Sequence, residues 1–197
     1  MITRALAVVA ISATAACAET VVSAQYGAPT DRYAHGVLGD AIEWGRLDIT
    51  TANGVRSFTL PQSRVFEDVA PRVVDLDNDG GPEVVVVETL ASEGAQLAVY
   101  NANGKIASTP HIGRTNRWLA PIGAADLDGD GHIEIAYIDR PHLAKTLRVW
   151  RYENGALEPV ADLGGLTNHR IGAVSYTHLR AHETNNSISY AVFCLKR

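Results

Sequence analysis

Two stretches decide the reading of this 197-residue chain: Asp75–Glu83, DLDNDGGPE, and Asp126–Glu134, DLDGDGHIE. Each runs at once into an apolar segment, VVVVE after the first and IAYID after the second. An EF-hand loop takes ligands at positions 1, 3, 5, 7 and 9 and a bidentate Glu at 12, with Gly at 6 and a helix on each side. Both stretches place Asp at the first, third and fifth positions (Asp75, Asp77, Asp79; Asp126, Asp128, Asp130) and Gly at the sixth (Gly80; Gly131). The twelfth position is Val86 in one and Tyr137 in the other, and the flanks are β-branched runs that favour strands. The last carboxylate is therefore Glu83 or Glu134 at the ninth position, and each loop is a strand-to-strand turn closed early.

All of these donors are hard oxygens, which disfavours zinc or copper. A flexible loop of several carboxylates suits calcium's variable coordination better than magnesium's strict octahedron. The main-chain carbonyls of Gly81 and His132, at the seventh position, complete the expected Ca2+ ligand set. A solvated Asp-Gly turn needs only one or two such residues, whereas here the same carboxylate positions occur twice.

Asp126 follows Asp75 by 51 residues, and the match continues downstream. QLAVYNANG (Gln96–Gly104) answers TLRVWRYENG (Thr146–Gly155), with one extra residue in the second copy. A period of this length is the mark of a repeat architecture. Each unit predicts a strand, the acidic turn, an apolar strand, a loop, an alternating strand (Leu97, Val99; Leu147, Val149), a hairpin turn and a further strand. Asn103-Gly104 and Asn154-Gly155 are dipeptides suited to two-residue hairpins whose two central residues sit at positive φ. A weaker copy, with Leu47, Ile49 and Asn53-Gly54, has an acidic loop reduced to Gly39-Asp40 and Glu43. GRTNRWLAPIG from Gly113 is echoed by GLTNHRIG from Gly165, the start of a further unit. No long amphipathic helix is legible, and the fold class is all-β.

The two ends are read separately. Arg4, the apolar run from Ala5 to Ile11 and the small residues Ala16-Cys17-Ala18 have the layout of a secretory signal over residues 1–18. That run is too short for a transmembrane segment. Acylation of Cys17 ranks second, because Thr14 stands where lipoprotein signals usually carry Leu. Residues 174–197 resemble the conceptual translation of a sequencing-library adapter: SYTHLRAHET and ISYAVFCLK occur in order and frame, with Asn185–Ser187 where a sample barcode falls. His178 and His182, four residues apart, are then adapter codons and not a helical metal pair, and Cys194 is discounted with them. Setting aside the tail's net +2 and Arg4 takes the formal charge from −5 to −8. So acidic a segment lacks the basic face that nucleic acid requires.

The D-x-D-x-D-G-x-x-E loop between strands, repeated at this spacing, resembles the FG-GAP or VCBS repeats of integrin-type β-propellers and of many exported bacterial proteins. No Phe-Gly or Gly-Ala-Pro signature accompanies it; APIGAADLD is the nearest stretch. The resemblance implies a partial β-propeller, each repeat supplying much of a four-stranded blade, with calcium held in the loop. Its domain layout is a signal at 1–18 and a propeller fragment at 19–173. The fragment comprises a degenerate repeat near 35–60, repeats near 66–110 and 117–163, and the start of another at 165–173.

Three roles fit a repeat protein of this kind: an exported calcium-binding module for a protein or carbohydrate ligand, an exported enzyme on a propeller scaffold, and a purely structural spacer. For an enzyme the sequence offers no catalytic motif. His35, His111, His142 and His169 are scattered, and are read as surface or hydrogen-bonded loop histidines. Trp44, Trp118 and Trp150 could line a sugar site, although Trp150 alternates with Val149 and Leu147 and reads as packing.

Overall fold

The computed structural model describes residues 19–170 and the two-residue strand Arg180–Ala181. The expected signal at 1–18 lies outside the described residues, as does the adapter-like tail apart from that strand. The strands run β1 (Val21–Thr30), β2 (Glu43–Thr51), β3 (Gly54–Thr59), β4 (Arg64–Phe66), β5 (Arg72–Val74), β6 (Glu83–Leu90), β7 (Gly94–Asn101) and β8 (Gly104–Ser108). They continue as β9 (Leu119–Ala125), β10 (Glu134–Asp139), β11 (Thr146–Glu153), β12 (Ala156–Gly164), β13 (Leu166–Thr167) and β14 (Arg180–Ala181). Among the described residues there is no helix, and so none long and apolar enough to cross a membrane.

The two strong repeats each form one antiparallel four-stranded meander. In the first, β6 pairs with β5 on one edge and β7 on the other, and β8 follows β7. In the second the order is β12-β11-β10-β9. This is the blade unit of a propeller. The degenerate repeat is a hairpin of β2 and β3, with β1 added along the other edge of β2. Neither β1 nor β4 was legible as part of a repeat. Strand β4 joins this hairpin to the first meander in one eight-stranded sheet, by pairing with β2 through Trp44 and Phe66 and with β6 through Arg64–Phe66. The described strands make a propeller-like array that does not close into a ring.

The apolar run of β6 follows from its place in this array. Val84 and Val86, with Ala98 and Tyr100 of β7, pack against Leu47, Ile49 and Phe66. Val85 and Val87, with Leu97 and Val99, pack into a second cluster with Leu119, Ala120, Ile135, Tyr137 and Ile138. A strand covered on both faces has no solvent side, so its sequence loses polar alternation. Each such Val or Leu contributes about 1.5–3 kcal/mol of burial. The edges behave differently: β12 is mostly exposed and carries Pro159 beside a register shift, and β9 carries Pro121 at another. Proline belongs on edges, where no ladder N–H is needed.

One expectation needs correction. The third hairpin turns on Asn154-Gly155, both at positive φ (52° and 76°), as its dipeptide implied. The second turns on Ala102-Asn103, because Asn101 pairs with Gly104, and Gly104 is the first residue of β8 at φ 132°. The first does the same through Thr51 and Gly54, with Gly54 at φ 128°. In those two hairpins glycine supplies the positive φ just after the turn and not within it. The extra residue in the second repeat moves the Asn-Gly pair into the turn itself.

Candidate metal centre

Each acidic loop enters from the end of an edge strand, β5 or β9, and leaves into the buried strand beside it, so its last carboxylate is drawn under the loop. Glu83 opens β6 and is 6% exposed; Glu134 opens β10 and is 2% exposed. Each accepts a hydrogen bond at Oε2 from the residue after the first Asp: the Leu76 N–H to Glu83 and the Leu127 N–H to Glu134, both at 2.9 Å. The turn is drawn tight by Asp side chains that accept from the loop's own backbone. The Gly80 N–H donates to Asp75 Oδ2 at 2.9 Å and the Gly131 N–H to Asp126 Oδ2 at 3.0 Å. The Asp79 N–H donates to Asp77 and the Asp130 N–H to Asp128, both at 3.2 Å. Positive φ at Gly80 (86°) and Gly131 (90°) explains glycine at the sixth position.

The outcome is convergence. Oxygens of Asp75, Asp77 and Glu83 lie within 4.8 Å of one another, and so do those of Asp126, Asp128 and Glu134. Either group could hold a metal ion. Asp79 and Asp130 stand apart from these threes, accepting at Oδ1 from the Gly81 N–H at 2.7 Å and the His132 N–H at 2.9 Å. The His132 bond, aided by Arg151, holds Asp130 below the usual carboxylate range. The two loops are neighbours: the Asn78 amide of the first donates to the Gly131 carbonyl of the second at 2.9 Å.

The first loop fits a cation on two further observations. Asp75 Oδ1 is buried and has no hydrogen-bond partner, a costly state for a carboxylate oxygen unless something positive meets it. Burial also pushes the Glu83 carboxyl up to about 7, with the charges of Asp77, Asp79 and Asp75 adding to the rise against the Leu76 bond that opposes it. Beside this loop lies a cavity of about 260 Å³, bordered by Glu19, Asn101, Ile106 and Tyr152 as well as the loop's own residues.

Residues 75–137 match the model of the FG-GAP-like repeat family. Over that span the chain is similar to an FG-GAP-like repeat. The matched span begins on the first Asp of the first loop and ends within β10, so it takes in both acidic loops and the blade strands between them. No curated protein and no solved structure matches the chain. The all-β meanders agree with that similarity, and the two acidic clusters could hold a metal ion.

The histidines are less scattered in space than in sequence. His35 Nδ1 meets the buried Glu67, whose other oxygen accepts from the Thr89 hydroxyl at 2.6 Å. Trp118 donates from Nε1 to the Glu67 carbonyl at 2.8 Å, its ring edge meets His169, and His169 lies 3.2 Å from His142. Three histidines thus gather about Trp118, brought together by chain crossings that no local pattern reports. His111 stands away, with Nδ1 2.8 Å from the Gly94 carbonyl. Trp118 is buried at 2%, while Trp44 and Trp150 are partly buried against the two core clusters. All three tryptophans pack with the core clusters.

Proposed function

We propose that this chain is an exported calcium-binding module of FG-GAP type that presents its loops to a protein or carbohydrate ligand. Ca2+ is held in the first loop by Asp75, Asp77, Asp79 and Glu83 with the Gly81 carbonyl, and in the second by Asp126, Asp128, Asp130 and Glu134 with the His132 carbonyl. The reading of residues 1–18 as a signal, of 19–173 as the propeller fragment and of 174–197 as non-native belongs to the same proposal. The observation that carries the metal assignment is the buried, unpartnered Asp75 Oδ1 inside a three-carboxylate cluster. A bound divalent cation supplies the positive charge that these oxygens otherwise lack, locking each turn between its two strands. The chain's own part is to hold the carboxylates convergent through backbone N–H groups and to bury the last one beneath the loop.

The test is thermal unfolding of the full chain in calcium, in magnesium and in chelator. Calcium should raise the melting temperature, with a dissociation constant of about 10⁻⁴–10⁻³ M as in other extracellular modules. Magnesium at equal concentration should do so less. Melting that is identical in chelator and in calcium refutes the assignment.

A further inference from the structure

The two acidic loops share a sequence pattern, but their surroundings differ in charge. Arg151 lies opposite Glu134 in the β10–β11 ladder. Its guanidinium reaches all along the second loop: Nε lies 2.7 Å and Nη2 2.6 Å from Glu134 Oε1, and Nη2 lies 2.9 Å from Asp130 Oδ2 and 3.4 Å from Asp128 Oδ2. Asp126 is satisfied at both oxygens, by the Gly129 N–H at 2.7 Å and the Gly131 N–H at 3.0 Å. In the first repeat the same antiparallel count, continued from the Val84–Tyr100 pair, sets Asn101 opposite Glu83. Asn101 is uncharged. Its side-chain oxygen accepts from the Asn103 N–H at 2.8 Å, so it is occupied with its own turn. No cation meets Asp75, Asp77 or Glu83 among the ion pairs of the described residues, and Asp75 Oδ1 has no donor at all.

We propose that Arg151 is a built-in counter-ion for the second loop, so that this loop is held closed without metal while the first loop depends on a bound cation. The proposal rests on the calcium reading above and adds an inequality to it. A tethered guanidinium already neutralises part of the charge that would attract a divalent ion, and it occupies the oxygens of Asp128 and Glu134 that would hold one. The first loop therefore binds calcium more tightly. Because Asn78 ties the first loop to the Gly131 carbonyl, ordering of the metal-dependent loop acts directly on its neighbour. One blade responds to calcium and the next is set beforehand.

The test uses the full chain in four forms: wild type, Asp77→Asn, Arg151→Gln and the double variant. Calcium uptake is followed by titration calorimetry, with terbium luminescence excited through Tyr152, which borders the first loop, as a second readout compared between wild type and Asp77→Asn. The wild type should show one tighter and one weaker site, with the terbium signal tracking the tighter. Asp77→Asn leaves the second loop alone to be measured. Adding Arg151→Gln to it should tighten that loop on the order of tenfold, since a unit charge is removed from a few ångströms of a divalent ion. In chelator Arg151→Gln should melt below the wild type, and calcium should restore it, which loss of an ordinary structural ion pair would not allow. Equal dissociation constants for Asp77→Asn and the double variant overturn the role of Arg151 while leaving the calcium reading intact. Absence of uptake in all four forms overturns both.

Discussion

Replacing Asp77 with Asn should change the protein's stability in opposite directions with and without calcium. The three carboxylates of the first loop lie within 4.8 Å of one another. At that distance each like-charged pair costs about 1 kcal/mol in bulk water and somewhat less in salt. At about pH 8, above the raised Glu83 value of about 7, Asp77 takes part in two such pairs, so neutralising it relieves about 1–2 kcal/mol of repulsion when no cation is present. The amide keeps an oxygen to accept from the Asp79 N–H, so the turn itself is preserved. In chelator the variant should therefore melt roughly 2–8 °C above the wild type. With calcium about a hundredfold above its dissociation constant, the wild type gains about 2.7 kcal/mol by mass action. The variant forfeits most of that gain at this loop, because it has lost a charged ligand. The order of melting temperatures should then reverse. Scanning calorimetry on both proteins, each in chelator and in calcium, reads the crossing directly. The same sign of difference in both solutions refutes the argument that these carboxylates repel one another until a cation joins them.

Three further outcomes are expected. Burial, with the charges of Glu67, Asp40 and Asp68, pushes the Glu43 carboxyl up to about 9. The folded state then holds a proton the unfolded chain releases near pH 4.5, so stability should fall as pH rises from about 4.5 to 9; Glu43→Gln should remove this slope and exceed the wild type by about 2–3 kcal/mol at pH 7 in denaturant titrations, whereas parallel pH profiles would refute it. Leu97 is fully buried between the two blades, and Leu97→Ala should cost about 2–5 kcal/mol in urea unfolding, a loss below about 1 kcal/mol counting against the inter-blade core. Gly94 sits at φ 77°, and a Cβ there would lie 2.4 Å from the Arg114 carbonyl oxygen and 2.8 Å from that of Arg117. Gly94→Ala should cost at least about 2 kcal/mol by the same measurement, and a neutral result would show that the turn after β6 differs from the one described.

Local patterns explain why much of this was legible. A carboxylate at every second position, a glycine where φ turns positive and a β-branched run after it are properties of neighbouring residues, and they carried both the loops and the strands around them. The alternation of Leu97 with Val99 placed β7 correctly, and its Asn-Gly dipeptide marked the right hairpin while misplacing the turn by one residue. That residue mattered because pairing register is set by the whole ladder, and two spacings of the same dipeptide can satisfy it. Strand β1 was missed, since its partner β2 is supplied across an intervening loop. The gathering of His35, His142 and His169 about Trp118 was missed for the same reason, as residues from three loops meet only when the blades pack.

By itself the sequence determined an all-β repeat protein, the two acidic loops and which carboxylate closes each, because these follow from backbone conformation and charge within about a dozen neighbouring positions. Tertiary structure alone decided that the two loops are unlike. The ladder lays Arg151 across one and leaves the other with an unpartnered Asp75 oxygen. Charges separated along the chain interact only through the distances that folding sets, and those distances differ between two loops whose sequences nearly agree.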